Sequence, residues 1–177
     1  MTHQDALALL RNVPTSGETW ADLGAGSGTF TRALSELLGP GGDVFAVDRN
    51  ASALRHIGPA SPHGATVRTL HADFAEALAL PPLDGLLLAN SLHFVRQQVP
   101  VLRHLAGFLK QGGKVVFLEY DTHHPSPWNP YPLPFGRLSQ VAAASGLGEL
   151  LELSRQPSAF GGRELYLAVA SKLGVFA

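Results

Sequence analysis

The run Asp22-Leu23-Gly24-Ala25-Gly26-Ser27-Gly28 holds the residues of this chain best suited to gripping a ligand. Without a Cβ, Gly24, Gly26 and Gly28 can take backbone angles closed to other residues and let a ligand approach the main chain, beside a helix N-terminus with unpaired N–H groups. Twenty residues beyond Gly28, Asp48 closes Val44-Phe45-Ala46-Val47-Asp48. A carboxylate at such a strand end can accept hydrogen bonds from both hydroxyls of a ribose; it also suits the N-cap of a helix beginning near Asn50. Three alternating glycines and a following carboxylate point to an adenosine compound. A simple strand-to-helix turn explains them less well.

Two further strand ends carry polar groups. Leu70-His71-Ala72-Asp73-Phe74 ends in a carboxylate that also suits a helix N-cap. Asn90-Ser91-Leu92-His93-Phe94 follows an unbroken apolar stretch, Gly85 to Ala89.

The elements needed to position these groups alternate between helix and strand, the pattern of a sheet with helices on both faces. An amphipathic helix over Gln4–Arg11 precedes a strand over Glu18–Leu23, a helix over Thr29–Leu38 and a strand over Asp43–Val47. A short helix after Asn50, a strand over Thr66–His71 and a brief helix over Phe74–Leu80, stopped by Pro81 and Pro82, come next. Leu83–Ala89 reads as a central parallel strand buried on both faces. Val99–Leu109 is predicted helical, Gln111-Gly112-Gly113 breaks it, and Lys114–Glu119 forms a fifth strand. Five of the thirteen prolines lie between Pro125 and Pro134, so residues 121–135 form a loop, expected over the site. A helix over Phe135–Ser145 and strands over Glu149–Gln156 and Glu164–Ala170, joined at Gly161-Gly162, complete one domain over residues 1–177.

Composition narrows the function. The chain of 177 residues has no cysteine, which removes disulfides, a thiolate nucleophile and a cysteine zinc site. Thirteen basic against fourteen acidic side chains, without a dense Lys/Arg cluster, give little phosphate neutralisation, so no nucleic-acid partner is expected. No apolar run reaches the roughly 18 to 20 residues of a membrane span, and the N-terminus lacks the layout of a signal peptide. The expectation is a cytoplasmic protein with a small-molecule partner and no membrane association.

The dinucleotide fingerprint is G-x-G-x-x-G, whereas this loop is G-x-G-x-G with Asp22 two positions ahead. Here the chain resembles the class I S-adenosylmethionine-dependent methyltransferases, whose first motif looks like Asp22 to Gly28. Asp84 to Phe94 resembles their fourth motif, and Leu109 to Val116 their recurring helix, turn and fifth strand. The paired C-terminal strands resemble the reversed hairpin that sets this fold apart from a dehydrogenase. The resemblance implies a three-layer, doubly wound, mostly parallel seven-stranded α/β sheet ending in an antiparallel hairpin. It implies S-adenosylmethionine as cofactor, with the loop of Gly24, Ala25, Gly26 and Gly28 along its methionine part and Asp22 near the ammonium. Asp48 and Arg49 would lie at the ribose, Asp73 and Phe74 at the adenine, and Asn90 where methyl group and acceptor meet.

The Asp/Asn-Pro-Pro-Tyr pattern of enzymes that methylate base amines is missing after the fourth strand. A hydroxyl or protonated-amine acceptor would need a base, for which His93 is the candidate, with a structural role as its alternative. Glu119, Tyr120, Asp121, His123 and His124 follow the fifth strand at the ligand-binding edge of the sheet. The two histidines point apart on an extended loop, and no metal site is assigned. Trp128, Tyr131 and Phe135 either close over an apolar acceptor or hold their loop. With only the first helix and the proline-rich loop to roof it, the acceptor pocket is either shallow or completed by a second copy in a homodimer. A cofactor-binding module without transferase activity, an NAD-dependent oxidoreductase and an aminopropyltransferase are the rival readings.

Overall fold

Strands β1 (Thr19–Leu23), β2 (Asp43–Asp48), β3 (Thr66–His71), β4 (Leu83–Ala89), β5 (Leu109–Asp121), β6 (Leu151–Pro157) and β7 (Glu164–Ser171) alternate with helices α1 (His3–Leu10), α2 (Thr29–Leu38), α3 (Ala51–Leu54), α4 (Gln98–Gly107) and α5 (Phe135–Ala144). The computed structural model describes residues 1–15, 19–58, 63–158 and 163–174. The expected strand residue Glu18 and the turn at Gly161-Gly162 lie outside the described residues.

The sheet order is β3-β2-β1-β4-β5-β7-β6. The first five strands in that order are parallel, while β7 runs antiparallel to β5 and to β6. Because successive side chains of a strand point to opposite faces, the sheet feeds two cores. Leu86, Leu88, Val115, Phe117, Tyr166 and Ala168 face the layer of α4 and α5. Trp20, Leu87, Val116, Leu118, Leu165 and Leu167 face the layer of α1 and α2. The expected three-layer architecture with its reversed hairpin is the one observed. Arg155 of β6 fastens that hairpin, pairing with Asp121 at the end of β5 and, at 2.9 Å, with Glu164 of β7. Among the described residues no helix is long and apolar enough to cross a membrane.

Several boundaries differ from the sequence reading. Phe74–Leu80 is not a helix. The Asp73 side chain accepts from Ala75 N at 2.9 Å and its carbonyl from Glu76 N at 3.1 Å, closing a local turn. That turn uses the donors a helix would need, and Pro81 disfavours helical geometry at Leu80. Helix α4 stops at Gly107, and β5 begins at Leu109 beside Leu83 before a register shift to the Gly85–Lys114 pair. Gly112, with φ +73°, makes a bend inside this strand rather than a gap before it. Strand β5 also runs through Glu119, Tyr120 and Asp121, which the sequence reading placed after it.

Candidate functional site

The strand order reverses direction between β1 and β4, the crevice where open α/β sheets bind ligands at the strands' carboxyl ends. Gly24, Gly26 and Gly28 occupy that crevice with φ of +83°, +53° and +83°. A Cβ on Gly24 would lie 2.5 Å from Ser91 Cβ, and one on Gly28 would lie 2.7 Å from Ile57 Cγ1. Backbone conformation and close packing therefore both require glycine at these two positions.

The loop's amides differ from the expectation of free donors. Gly24 N and Ala25 N both donate to Val47 O, at 2.8 and 3.0 Å, and Gly28 N donates to Ala25 O at 2.9 Å. Gly26 N donates to Asp48 Oδ2 at 2.7 Å. These groups are thus engaged within the protein, and of the loop it is Gly24, without a side chain, that borders a cavity.

Asp48 stands at the centre of the crevice. Its second oxygen accepts from Asn50 N at 2.7 Å, while Asn50 caps α3 with its own side chain. An ionised carboxylate has about four acceptor sites, so both oxygens can still take hydroxyl donors. Asp73, at the end of β3, faces Arg49 across 3.9 Å. Gly24, Asp48, Arg49, Asp73, Phe74 and Asn90 together line a cavity of about 510 Å³, within the roughly 300 to 1,000 Å³ of small-molecule sites. Ala25, Gly26 and Gly28 lie outside this lining.

Asp22 does not line the cavity. It is 1% exposed and accepts from Thr31 Oγ1 at 2.6 Å. Burial pushes its carboxyl up to about 6, against the lowering effect of the Thr31 bond and with a further upward push from Asp48. Thr31 was not singled out in the sequence; its place in the first turn of the helix, nine residues past Asp22, was the available signal.

Ser91, Phe94, Val95 and Val101 also wall the cavity. Ser91 and Phe94 belong to the segment after β4 that the sequence singles out, whereas Val95 and Val101 read equally well as core. Asn90 holds a left-handed φ of +53°, a strained conformation that Asn tolerates better than most residues. Its N–H donates to Leu118 O at 2.8 Å. Its Oδ1 and the Ser91 Oγ are buried without a hydrogen-bond partner.

Asn90 also borders a second cavity of about 600 Å³, walled by α1, Phe30 of α2, Tyr120 of β5 and the β6–β7 strands. The first helix borders this second cavity, whereas residues 121–135 line neither of the two. Trp128 is 82% exposed, and Phe135 packs edge-on against Tyr166 with centroids 5.5 Å apart. Tyr131 N donates to His93 O, which ties the proline-rich loop to the segment after β4.

His93 lines neither cavity. It is 1% exposed, and its Nδ1 lies 2.5 Å from Glu119 Oε2. Its ring lies 4.4 Å from that of Phe94, a wall of the first cavity, and 6.5 Å from that of Tyr120, a wall of the second. His123 and His124 are exposed, and among the described residues no cluster of three or more His, Asp or Glu is gathered for a metal ion.

Comparison with known proteins places this geometry. A family model described as a methyltransferase domain matches residues 21–115. The chain is 32% identical over 109 residues to the ubiquinone/menaquinone biosynthesis C-methyltransferase UbiE of Pasteurella multocida, covering 59% of this chain and 41% of the relative. It is 31% identical over 121 residues to UbiE of Hahella chejuensis, covering 65% and 46%. The chain thus spans less than half the length of these curated relatives. Among solved structures, an S-adenosylmethionine-dependent methyltransferase of Methanosarcina mazei superposes with a TM-score of 0.73 at 14% identity, covering 93% of this chain and 97% of that one. The Burkholderia thailandensis 1,6-didemethyltoxoflavin-N1-methyltransferase, solved with bound 1,6-didemethyltoxoflavin and S-adenosylhomocysteine, gives 0.74 at 20% identity, covering 97% and 78%. At these identities the structural likeness concerns the fold.

Proposed function

The chain belongs to the methyltransferase domain family, and on that premise we propose that it binds S-adenosylmethionine in the cavity at the β1/β4 crevice and transfers its methyl group to a small molecule. One observation carries the reading: two carboxylates, Asp48 and Asp73, border the same cavity as the side-chain-free surface of Gly24 and the unpartnered Ser91 Oγ. This set suits an adenosine compound with a cationic tail. Asp48 would accept the ribose hydroxyls and Asp73 the adenine amino group, with Phe74, Val95 and Val101 supplying an apolar wall. When bound, S-adenosylmethionine would supply an activated methyl on its sulfonium, and Asp48, Asp73 and Gly24 would be the residues that hold it.

Orientation and exclusion of water are then the protein's main tasks. The amides engaged within the glycine loop fix its shape, and the His93–Glu119 bond holds the segment from Asn90 to Phe94 from beneath. In this reading His93 is a positioning residue, since it lines neither cavity. The NAD reading has less support, because the reversed β6–β7 hairpin belongs to the methyltransferase architecture.

Parallel calorimetric titrations with S-adenosylmethionine, S-adenosylhomocysteine and NAD test the proposal. Binding of the adenosyl pair alone is expected. Binding of NAD alone, or of none of the three, would overturn it.

A further inference from the structure

The two cavities meet at Asn90, which borders both. With the first cavity assigned to cofactor, a molecule in the second would lie across Asn90 from it. We infer that the second cavity is the acceptor site and that it selects a neutral, planar aromatic compound bearing a hydroxyl donor; this rests on the methyltransferase reading for its role, though not for its binding chemistry.

Shape and surface come from the aromatic residues Phe30 and Tyr120 and from Leu9, Pro157 and Leu165. Such walls favour a flat apolar body. Among the polar groups of the lining, two buried oxygens stand out. Asn90 Oδ1 and Ser154 Oγ are both buried without a hydrogen-bond partner, and both residues border the cavity. A buried amide oxygen can only accept, so a ligand that satisfies Asn90 must bring a donor.

Charge supplies the third criterion. Among the described lining residues no side chain is Lys or Arg, and the one carboxylate, Asp5, accepts from Thr2 N at 2.8 Å in the cap of α1. An anionic acceptor would find no Lys or Arg side chain in that lining to pair its charge. A hydroxyl on a neutral ring brings the donor that Asn90 Oδ1 needs, whereas an ionised phosphate or carboxylate brings none.

Three probes separate these terms: 2-naphthol, 2-methoxynaphthalene, which keeps the ring but lacks the donor, and 2-naphthyl phosphate, which adds negative charge. Each is titrated into the full chain with and without saturating S-adenosylhomocysteine, whose own binding is measured first. The expected result is 2-naphthol binding at least about tenfold tighter than either analogue, equivalent to about 1.4 kcal/mol. Asn90→Gly, which keeps the left-handed backbone and removes the amide, should bring 2-naphthol down to the level of its methyl ether. Ala8→Trp, at an exposed position of α1 bordering the cavity, should abolish 2-naphthol binding and leave S-adenosylhomocysteine affinity unchanged. Equal or tighter binding of the phosphate, or 2-naphthol affinity that survives Ala8→Trp, would overturn the inference. Selective 2-naphthol binding by a protein that fails to bind S-adenosylhomocysteine would support the site while removing the methyltransferase reading.

Discussion

Glu119 of β5 and His93 of the turn after β4 form a buried pair, Nδ1 to Oε2 at 2.5 Å, with each side chain 1% exposed. Glu119 Oε1 also accepts from the His93 backbone N at 3.3 Å, so one carboxylate holds both the ring and the main chain of the segment that carries Asn90. Removing one partner leaves the other buried and uncompensated. Glu119→Ala is therefore expected to lower folding stability by about 3 to 5 kcal/mol, and His93→Ala by a similar amount. Denaturant titration measures both. A loss under 1 kcal/mol in either variant would show that the pair does not hold this segment.

Asp22 predicts a pH dependence of known sign. Its carboxyl is pushed from an ordinary 3.8 up to about 6 by burial, so between those values the folded state retains a proton that the unfolded state has released. Its contribution to stability is greatest at low pH, declines as pH rises through that window, and is flat above it; the span is about 3 kcal/mol by linkage. Asp22→Asn should therefore gain stability relative to the original protein as pH rises from 4 to 7. The same substitution should leave S-adenosylmethionine affinity largely unchanged, because Asp22 does not line the cavity. Unfolding curves at the two pH values check the first expectation and calorimetry the second.

Asp48 has two roles that substitution can separate. Its oxygens accept from Gly26 N and Asn50 N, so Asp48→Ala should cost about 1 to 3 kcal/mol in folding through two unmet donors. It should also weaken S-adenosylmethionine binding by about 1.5 to 3 kcal/mol, the value of hydrogen bonds to a charged group. Asp48→Asn keeps one side-chain oxygen and should recover part of the stability without recovering the affinity. Equal affinity in all three proteins would remove Asp48 from the ribose.

Gly85 and Trp20 are cross-strand partners, and a Cβ on Gly85 would lie 2.4 Å from the Trp20 indole. Gly85→Ala is expected to destabilise by about 1 to 3 kcal/mol or more through overpacking. Trp20→Leu in the same chain should return part of that loss, because it vacates the clashing volume. Additive effects in the double-mutant cycle would contradict the contact.

Local pattern determined much of this protein. The strands Thr66–His71 and Leu83–Ala89 and the helix Thr29–Leu38 are visible in the sequence because their apolar periodicity and end signals are written within each segment. The three glycines likewise announce a positive-φ turn wherever they stand, and the carboxylates at the ends of β2 and β3 mark the crevice. Phe74–Leu80 failed for the complementary reason: its residues favour helix, but Asp73 and the prolines closed a turn, and Leu78 and Leu80 packed against the core instead.

Tertiary structure alone decided how the chemistry is distributed. Nothing near His93 in the chain shows that Glu119, twenty-six residues away, buries it beneath the site. Nor does the sequence show that Thr31 stabilises the Asp22 charge, or that Asn90 stands between two cavities with its amide oxygen unmet. Those relationships arise when parallel strands bring distant segments to one edge of the sheet. Burial and partner geometry then set what each side chain can do, and neither is a property of a residue's neighbours in sequence.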